Sequence, residues 1–208
     1  LAREGSIYSL SDQAKTFLLE SSPFYQGNLL KLMKRNIESR WSGLSRALEN
    51  GPDKHPSGSH VFDEFFVLAM AEGAVGGSLQ RTIKTLQQLP KFHKAQKCLD
   101  LGGGHALYSL AFTRLNPDLE AVVFDLPQVI DGVAKKVVSD SDRILTISGD
   151  FNRDDLGNDY DFVFASDVLY RHEEQLRPLL ARIRKSLKPD GLLICKHYHI
   201  DDLLRDSS

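Results

Sequence analysis

Two cysteines, two methionines and one tryptophan in 208 residues are few, and each scarcity excludes something. Cys98 and Cys195 cannot build a disulfide framework and have no metal-ligand spacing. Both fall in apolar runs that read as strands, so two buried thiols in a reducing, cytoplasmic setting are expected. No apolar run approaches the roughly 18 residues of a membrane span, and the first residues hold no signal-type apolar stretch. Charge of one sign is also lacking. With 26 basic and 28 acidic residues the net charge is −2, which gives no pull toward nucleic acid or an anionic membrane. What remains is a globular composition, 41% hydrophobic and 26% charged, long enough for one full core and part of a second. Both ends read as cut: residues 1–5 look like a helix end running into a turn, and only a polar tail follows the last apolar strand.

Two regimes meet near residue 96, giving a helical accessory region over 1–95 and a separate unit over 96–208. In the first, Ser11 is placed to cap a short helix carrying Ala14, Phe17 and Leu18. Leu30, Met33, Ile37, Trp41, Leu44 and Leu48 recur at steps of three and four, which predicts one stripe of a long helix. Asn50-Gly51-Pro52 stops it, and 53–59 is a polar loop. Phe62, Phe65, Phe66, Ala69 and Met70 make a second stripe, and Leu79, Ile83 and Leu86 a third. Such stripes belong to a core or a subunit interface more often than to a pocket. Ile7-Tyr8-Ser9-Leu10 alternates as a small wing-like strand does. Beyond residue 96, strands are predicted at 97–101, 121–126, 143–147, 161–165 and 192–196, with helices near 106–115, 128–138 and 176–188. Lys188-Pro189-Asp190-Gly191 stops the last helix. Apolar strands alternating with amphipathic helices predict a doubly wound, mostly parallel α/β sheet, with ligands at the C-terminal strand ends.

Asp100-Leu101-Gly102-Gly103-Gly104-His105 ends the first of these strands and opens a helix. The glycines let the backbone turn tightly and approach a ligand, and the helix start behind them offers unpaired N–H groups. Asp125 follows Gly104 by 21 residues and ends the second strand in Val123-Phe124-Asp125-Leu126-Pro127. A carboxylate there can accept hydrogen bonds from both hydroxyls of a ribose. After Gly149, Asp150 and Phe151 end the third strand with an acid and a ring suited to an adenine amino group and its face. A dinucleotide fingerprint needs a third glycine, but His105, Ala106 and Leu107 follow Gly104; a P-loop needs Lys-Ser/Thr, which is also absent. Asp100 fits instead a cofactor with a cationic amino-acid tail.

In these residues the chain resembles the S-adenosylmethionine-dependent small-molecule O-methyltransferases, which place a helical, winged-helix-type dimerisation region before a Rossmann-like class I methyltransferase domain. Tyr8-Ser9-Leu10-Ser11 with Phe17-Leu18 looks like the segment after that family's wing. Trp41 with Leu44, Ala47 and Leu48 looks like its W-x-x-L…A-L helix, and Phe66-x-x-Ala69-Met70 like its F-x-x-A-M helix. The glycine turn, Phe124-Asp125-Leu126-Pro127, Gly149-Asp150-Phe151 and Leu187-Lys188-Pro189-x-Gly191 match its later motifs in order. The resemblance implies methyl transfer from S-adenosylmethionine to a hydroxyl oxygen of a small-molecule acceptor, with S-adenosylhomocysteine as product. It implies a homodimer, while the near-neutral charge, the lack of a span and the lack of converging ligands point to no nucleic acid, membrane or metal as partner. Cofactor contacts would come from Asp100, Gly102, Gly103, Gly104, Asp125, Leu126, Asp150, Phe151 and Ser166, with Met70 beside them from the helical region. Transfer to nitrogen, sulfur or carbon, or a non-catalytic cofactor-binding protein, are the alternatives.

Three departures from the family pattern stand out. Ala106 replaces the last glycine of G-G-G-x-G, a mild change. Leu169-Tyr170-Arg171-His172 puts Tyr170 where the family carries a catalytic histidine. Lys196 stands for the family's glutamate at the fifth strand's end, followed by His197, Tyr198 and His199. The candidate catalytic residues are therefore His172, whose imidazole has the better pKa for a base, and Tyr170, which is better placed and suited to orienting an acceptor. His172, His197 and His199 do not make a metal site, which needs three or four converging ligands.

Overall fold

The computed structural model describes residues 2–39, 41–51, 62–170 and 172–197. By its internal contacts the chain divides into two units, Leu1–Arg81 and Thr82–Ser208.

The first unit opens on a hairpin in which β1 (Ala2–Glu4) pairs antiparallel with β2 (Ile7–Ser9). Within the stretch expected as a helix end there is thus a strand leading into a turn. β2 is the small strand expected from the alternation of Ile7-Tyr8-Ser9-Leu10, whereas Ala2-Arg3-Glu4 has no alternation to reveal β1. Ser11 caps α1 (Asp12–Leu18), its Oγ accepting from Ala14 N at 3.2 Å. The long helix expected from Leu30 to Leu48 is broken: α2 (Gly27–Ser39) gives way to a 3₁₀ turn at Trp41–Gly43, and α3 (Leu44–Asn50) follows. Its apolar stripe is open, with Leu30, Met33, Ile37, Trp41, Leu44 and Leu48 all 47–79% exposed. Leu32, on the other side of α2, is the buried residue. α4 (Glu64–Gly73) starts at Asp63, whose Oδ1 accepts from Phe66 N at 2.7 Å, and packs on α2. The Glu72 carboxylate accepts from Asn28 Nδ2 at 2.7 Å and Leu29 N at 2.9 Å, satisfying an otherwise unpaired N–H at the start of α2. The polar loop expected at 53–59 lies outside the described residues. α5 (Leu79–Leu86) carries the division between the units.

In the second unit α6 (Pro90–Lys94) leads into β3 (Lys97–Leu101), α7 (Leu107–Leu115) and β4 (Glu120–Asp125). A broken helix follows, α8 (Pro127–Val129) and α9 (Lys135–Val137), separated by a wider turn at Ile130–Ala134. Then come β5 (Ile144–Ser148), β6 (Tyr160–Ser166), α10 (Glu173–Ser186) and β7 (Leu187–Lys196). The strands form one parallel sheet in the order β5-β4-β3-β6-β7. Leu99, Leu101, Val122, Phe124 and Val163 share a core cluster with Leu179 and Ile183 of α10. A second cluster sets Phe112 of α7 edge-on to Phe162 and Phe164, with centroids 5.9 and 5.1 Å apart. Cover on both faces is why the inner strands β3, β4 and β6 read as unbroken apolar runs.

Two expectations about the last strand need correction. β7 begins at Leu187, not 192: Leu187 pairs with Tyr160 and Leu192 with Phe162, so Lys188-Pro189-Asp190-Gly191 bulges out opposite Asp161. Asp161 anchors that bulge, its Oδ1 taking Lys188 Nζ at 2.6 Å while Oδ2 accepts from Gln96 N and Lys97 N at 2.8 and 2.9 Å. Cys195 is exposed rather than buried because β7 is the outer strand among the described residues, whereas Cys98 lies in the interior.

Candidate active site at the strand ends

Strand order reverses at β3, with β4 to one side and β6 to the other, and in such sheets the crevice at the carboxyl ends collects ligands. Gly102 has φ +68°, and a Cβ there would stand 2.5 Å from Val168 Cγ1 and 3.5 Å from a Phe151 ring carbon. Glycine at 102 thus lets the segments after β5 and β6 close on the turn. Gly104 has φ +52°, but a Cβ there would meet nothing nearer than Gly102 O at 3.9 Å. Its backbone faces open space, which is what an approaching ligand needs.

Asp125, at the end of β4, accepts from Gly104 N at 2.8 Å through Oδ2 and from Leu126 N at 2.7 Å through Oδ1. Burial pushes its pKa up, and these two N–H bonds oppose that push. Each carboxylate oxygen has two lone pairs, so both can take a further donor. Asp150 Oδ1 accepts from Asn152 N and Nδ2 at 3.0 and 2.6 Å, and Arg153 Nε lies 3.5 Å from Oδ2. Phe151 packs against the core cluster with its ring toward Gly102.

Asp100 is turned inward. It is 1% exposed, packs against Gly103, and its Oδ2 accepts from Ser109 Oγ at 2.7 Å. Burial raises its pKa to about 7, which the Ser109 bond opposes. His105 is also buried, with Nδ1 accepting from Leu107 N at 3.1 Å. Burial lowers its pKa to about 4, and the nearby Lys196 charge pushes the same way. Ala106 starts α7 at φ 59°, in the left-handed region where the family glycine would sit without strain, and is fully buried.

The two catalytic candidates are placed differently. The Tyr170 hydroxyl donates to Asp167 Oδ1 at 3.0 Å, and its ring stands edge-on to His197 with centroids 4.7 Å apart. Ser166, at the end of β6, donates through Oγ to Asp167 Oδ2 at 3.2 Å, and Lys196 Nζ from the end of β7 binds the same oxygen. His172 instead sits at the N-cap of α10, where its side chain makes no capping bond. It borders an open depression of about 510 Å³ with Glu173, Glu174 and Arg177; no glycine-turn residue is among the described lining. Met70 belongs to the first unit, on α4, 37% exposed. Sequence reasoning passed over the Asp167–Lys196 pair. Its trace in the sequence is the lysine in the family's glutamate position, which does not say which carboxylate it meets. Among the described residues no three His, Cys, Asp or Glu side chains gather as a metal site, and His199 lies outside them.

A parallel sheet with a glycine turn, a carboxylate and an aromatic meeting at its strand ends has the Rossmann-like, class I methyltransferase fold. A family model described as an O-methyltransferase domain matches residues 59–202, and the chain belongs to that family. It is 31% identical over 198 residues to an uncharacterised protein of Methanocaldococcus jannaschii, covering 93% of this chain and 51% of that protein. It is 27% identical over 217 residues to the tetracenomycin polyketide synthesis 8-O-methyl transferase of Streptomyces glaucescens, covering 100% of this chain and 63% of the relative. Human N-acetylserotonin methyltransferase, solved in complex with S-adenosylmethionine, superposes with a TM-score of 0.79 at 25% identity, over 94% of this chain and 59% of its own. The chain thus spans between half and two-thirds of the length of these relatives.

Proposed function

We propose that the protein transfers a methyl group from S-adenosylmethionine to a hydroxyl oxygen of a small molecule, working as a homodimer. The observation that carries this reading is Asp125 at the end of β4, hydrogen-bonded to the open backbone of Gly104. Its spare lone pairs suit the two hydroxyls of a ribose, and Phe151 and Asp150 suit an adenine. The inward Asp100 serves by shaping the turn through Ser109 and Gly103. When bound, the cofactor supplies an electrophilic sulfonium methyl.

The chain's own part is then to hold an acceptor oxygen in line and to take its proton. Holding two reactants in geometry accounts for much of such a rate enhancement. A base helps because the hydroxyl must lose its proton near the transition state. His172 is the proposed base and the Tyr170 hydroxyl the orienting group. Oxygen as the acceptor atom is supported by family membership and by the relative named for 8-O-methyl transfer.

The test uses the intact protein, calorimetry and a panel of phenols. Asp125→Ala should weaken S-adenosylmethionine binding by about 1.5–3 kcal/mol, the scale of a hydrogen bond to a charged group. His172→Ala should lower turnover roughly 10²–10⁴-fold at nearly unchanged cofactor affinity, and Tyr170→Phe should lower it less. Unaltered affinity in a folded Asp125→Ala protein removes the ribose role. Near-full turnover in His172→Ala, with chemistry rate-limiting, removes the base.

A further inference from the structure

The ends of β6 and β7 carry a charge pair that the chemistry above leaves unused. Asp167, the first residue after β6, receives the Ser166 hydroxyl and the Lys196 ammonium on Oδ2 and the Tyr170 hydroxyl on Oδ1. Its own N–H donates to Lys196 O at 2.8 Å, so backbone and side chain both tie the two strand ends. Asp167 holds φ 57°, a left-handed conformation that a non-glycine residue keeps only where its surroundings over-determine it. Partial burial would raise its pKa, but Lys196, Tyr170 and Ser166 outweigh that and hold the carboxyl below its ordinary range. The Asp167 and Lys196 side chains are 35% and 27% exposed. A pair this open contributes little to stability by itself. Its more specific effect is on Tyr170, which it grips at the hydroxyl while His197 meets the ring.

We propose that Asp167 is a positioning residue, which with Lys196 clamps the Tyr170 hydroxyl at the C-terminal ends of β6 and β7, where a methyl acceptor is oriented. The proposal rests on the methyl-transfer reading of these strand ends. A free tyrosine samples several staggered rotamers, and one held at its hydroxyl, though 57% exposed, has less ordering left to do when the acceptor arrives. The clamp therefore acts on turnover of the acceptor, and it reaches the cofactor only through the Ser166 hydroxyl that Asp167 also holds.

Two substitutions suit the left-handed backbone: Asp167→Gly removes the carboxylate, and Asp167→Asn keeps the shape without the charge. In the intact protein Asp167→Gly should lower kcat for a panel of simple phenols about tenfold, read as S-adenosylhomocysteine formed at saturating S-adenosylmethionine, so that the freed Ser166 hydroxyl does not enter the comparison. In a Tyr170→Phe background the same change should alter kcat by less than about twofold, because the hydroxyl it serves is gone. A 3-fluorotyrosine label at position 170 should leave its His197-shifted resonance for the free-tyrosine position in Asp167→Gly, and part of the way in Asp167→Asn. Equal losses in the two backgrounds, or an unmoved label, overturn the clamp. A wild-type protein that binds no S-adenosylmethionine overturns the methyl-transfer reading instead, and the label still decides whether Asp167 holds Tyr170.

Discussion

Burial acts on Asp100 and His105 in opposite senses, because one is charged after losing its proton and the other after gaining one. Asp100 has its pKa raised from 3.8 to about 7, so between those values the native state holds a proton that the unfolded chain has released. Its contribution to stability is therefore full below about pH 4 and is lost as pH rises toward 7. His105 is lowered from 6.5 to about 4, so over that interval the unfolded chain binds a proton that the native state refuses. That contribution is full above 6.5 and is lost as pH falls toward 4. Each slope is about 1.4 kcal/mol per pH unit, and the two nearly cancel between about pH 4 and 6.5. Removing either partner should expose the other. Relative to wild type, His105→Gln should lose stability as pH rises through this window, and Asp100→Asn should gain it. Thermal unfolding at half-unit steps from pH 4 to 7 measures both, and difference curves of the same sign would contradict the assignment.

At the scale of elements, the start of α7 sets three energies against one another. Left-handed backbone costs an alanine about 1–2 kcal/mol. Replacing Ala106 by glycine would relieve that, but would give up a buried methyl worth about 0.8 kcal/mol and loosen the unfolded chain by about 0.4–1 kcal/mol. The sum is near zero, which is why alanine stands here at little cost. Ala106→Gly should therefore shift stability by less than about 1 kcal/mol in urea unfolding, while Ala106→Val should lose about 3 kcal/mol or more through strain and overpacking. Valine tolerated as well as glycine would mean that α7 begins in another conformation. The same contrast between local and distant causes separates what was legible in the sequence from what was not. β3, β4 and β6 lie within a residue of their expected bounds because a strand buried on both faces announces itself in its own residues, and the outer β5 matches as closely although Leu145 is exposed. Asp125 was legible from its spacing to the glycine turn. The bulge in β7 was not, since Lys188 leaves its apparent stop signal for Asp161, 27 residues earlier. Nor was the Asp167–Lys196 pair, which exists only because β6 and β7 are neighbours. The stripe on α2 was legible as apolar, but periodicity does not say which face a helix turns inward.

For the whole molecule that open stripe matters most. Leu30, Met33, Ile37, Trp41, Leu44 and Leu48 are exposed, as are Ile7 and Tyr8 on β2 and Leu18 on α1. Monomers rarely leave large apolar patches in water, and a net charge of −2 gives two copies little reason to repel. No described helix is long and apolar enough to cross a membrane. A second copy is the proposed cover. Sedimentation at micromolar concentration should find a dimer, and Ile37→Glu with Trp41→Glu should dissociate it without changing S-adenosylmethionine affinity. A wild-type protein that sediments as a monomer sinks the proposal.

Leu99 of β3 pairs with Val122 on one side and with Val163 on the other. The first partner lies a short helix away along the chain, and the second lies beyond two further strands. Closing the longer loop takes more entropy, and distant parallel pairing is slow. The near pairing is therefore expected to form before the far one, which folding kinetics of Val122→Ala and Val163→Ala would test. Asp125 reaches Gly104 through the near pairing, whereas Val168 reaches Gly102 through the far one. A lesion that loosens β3 from β6 should therefore weaken the Val168 wall and the Asp167–Tyr170 grip more than the Asp125 side, an outcome that amide exchange at Asp167 and Gly104 would measure.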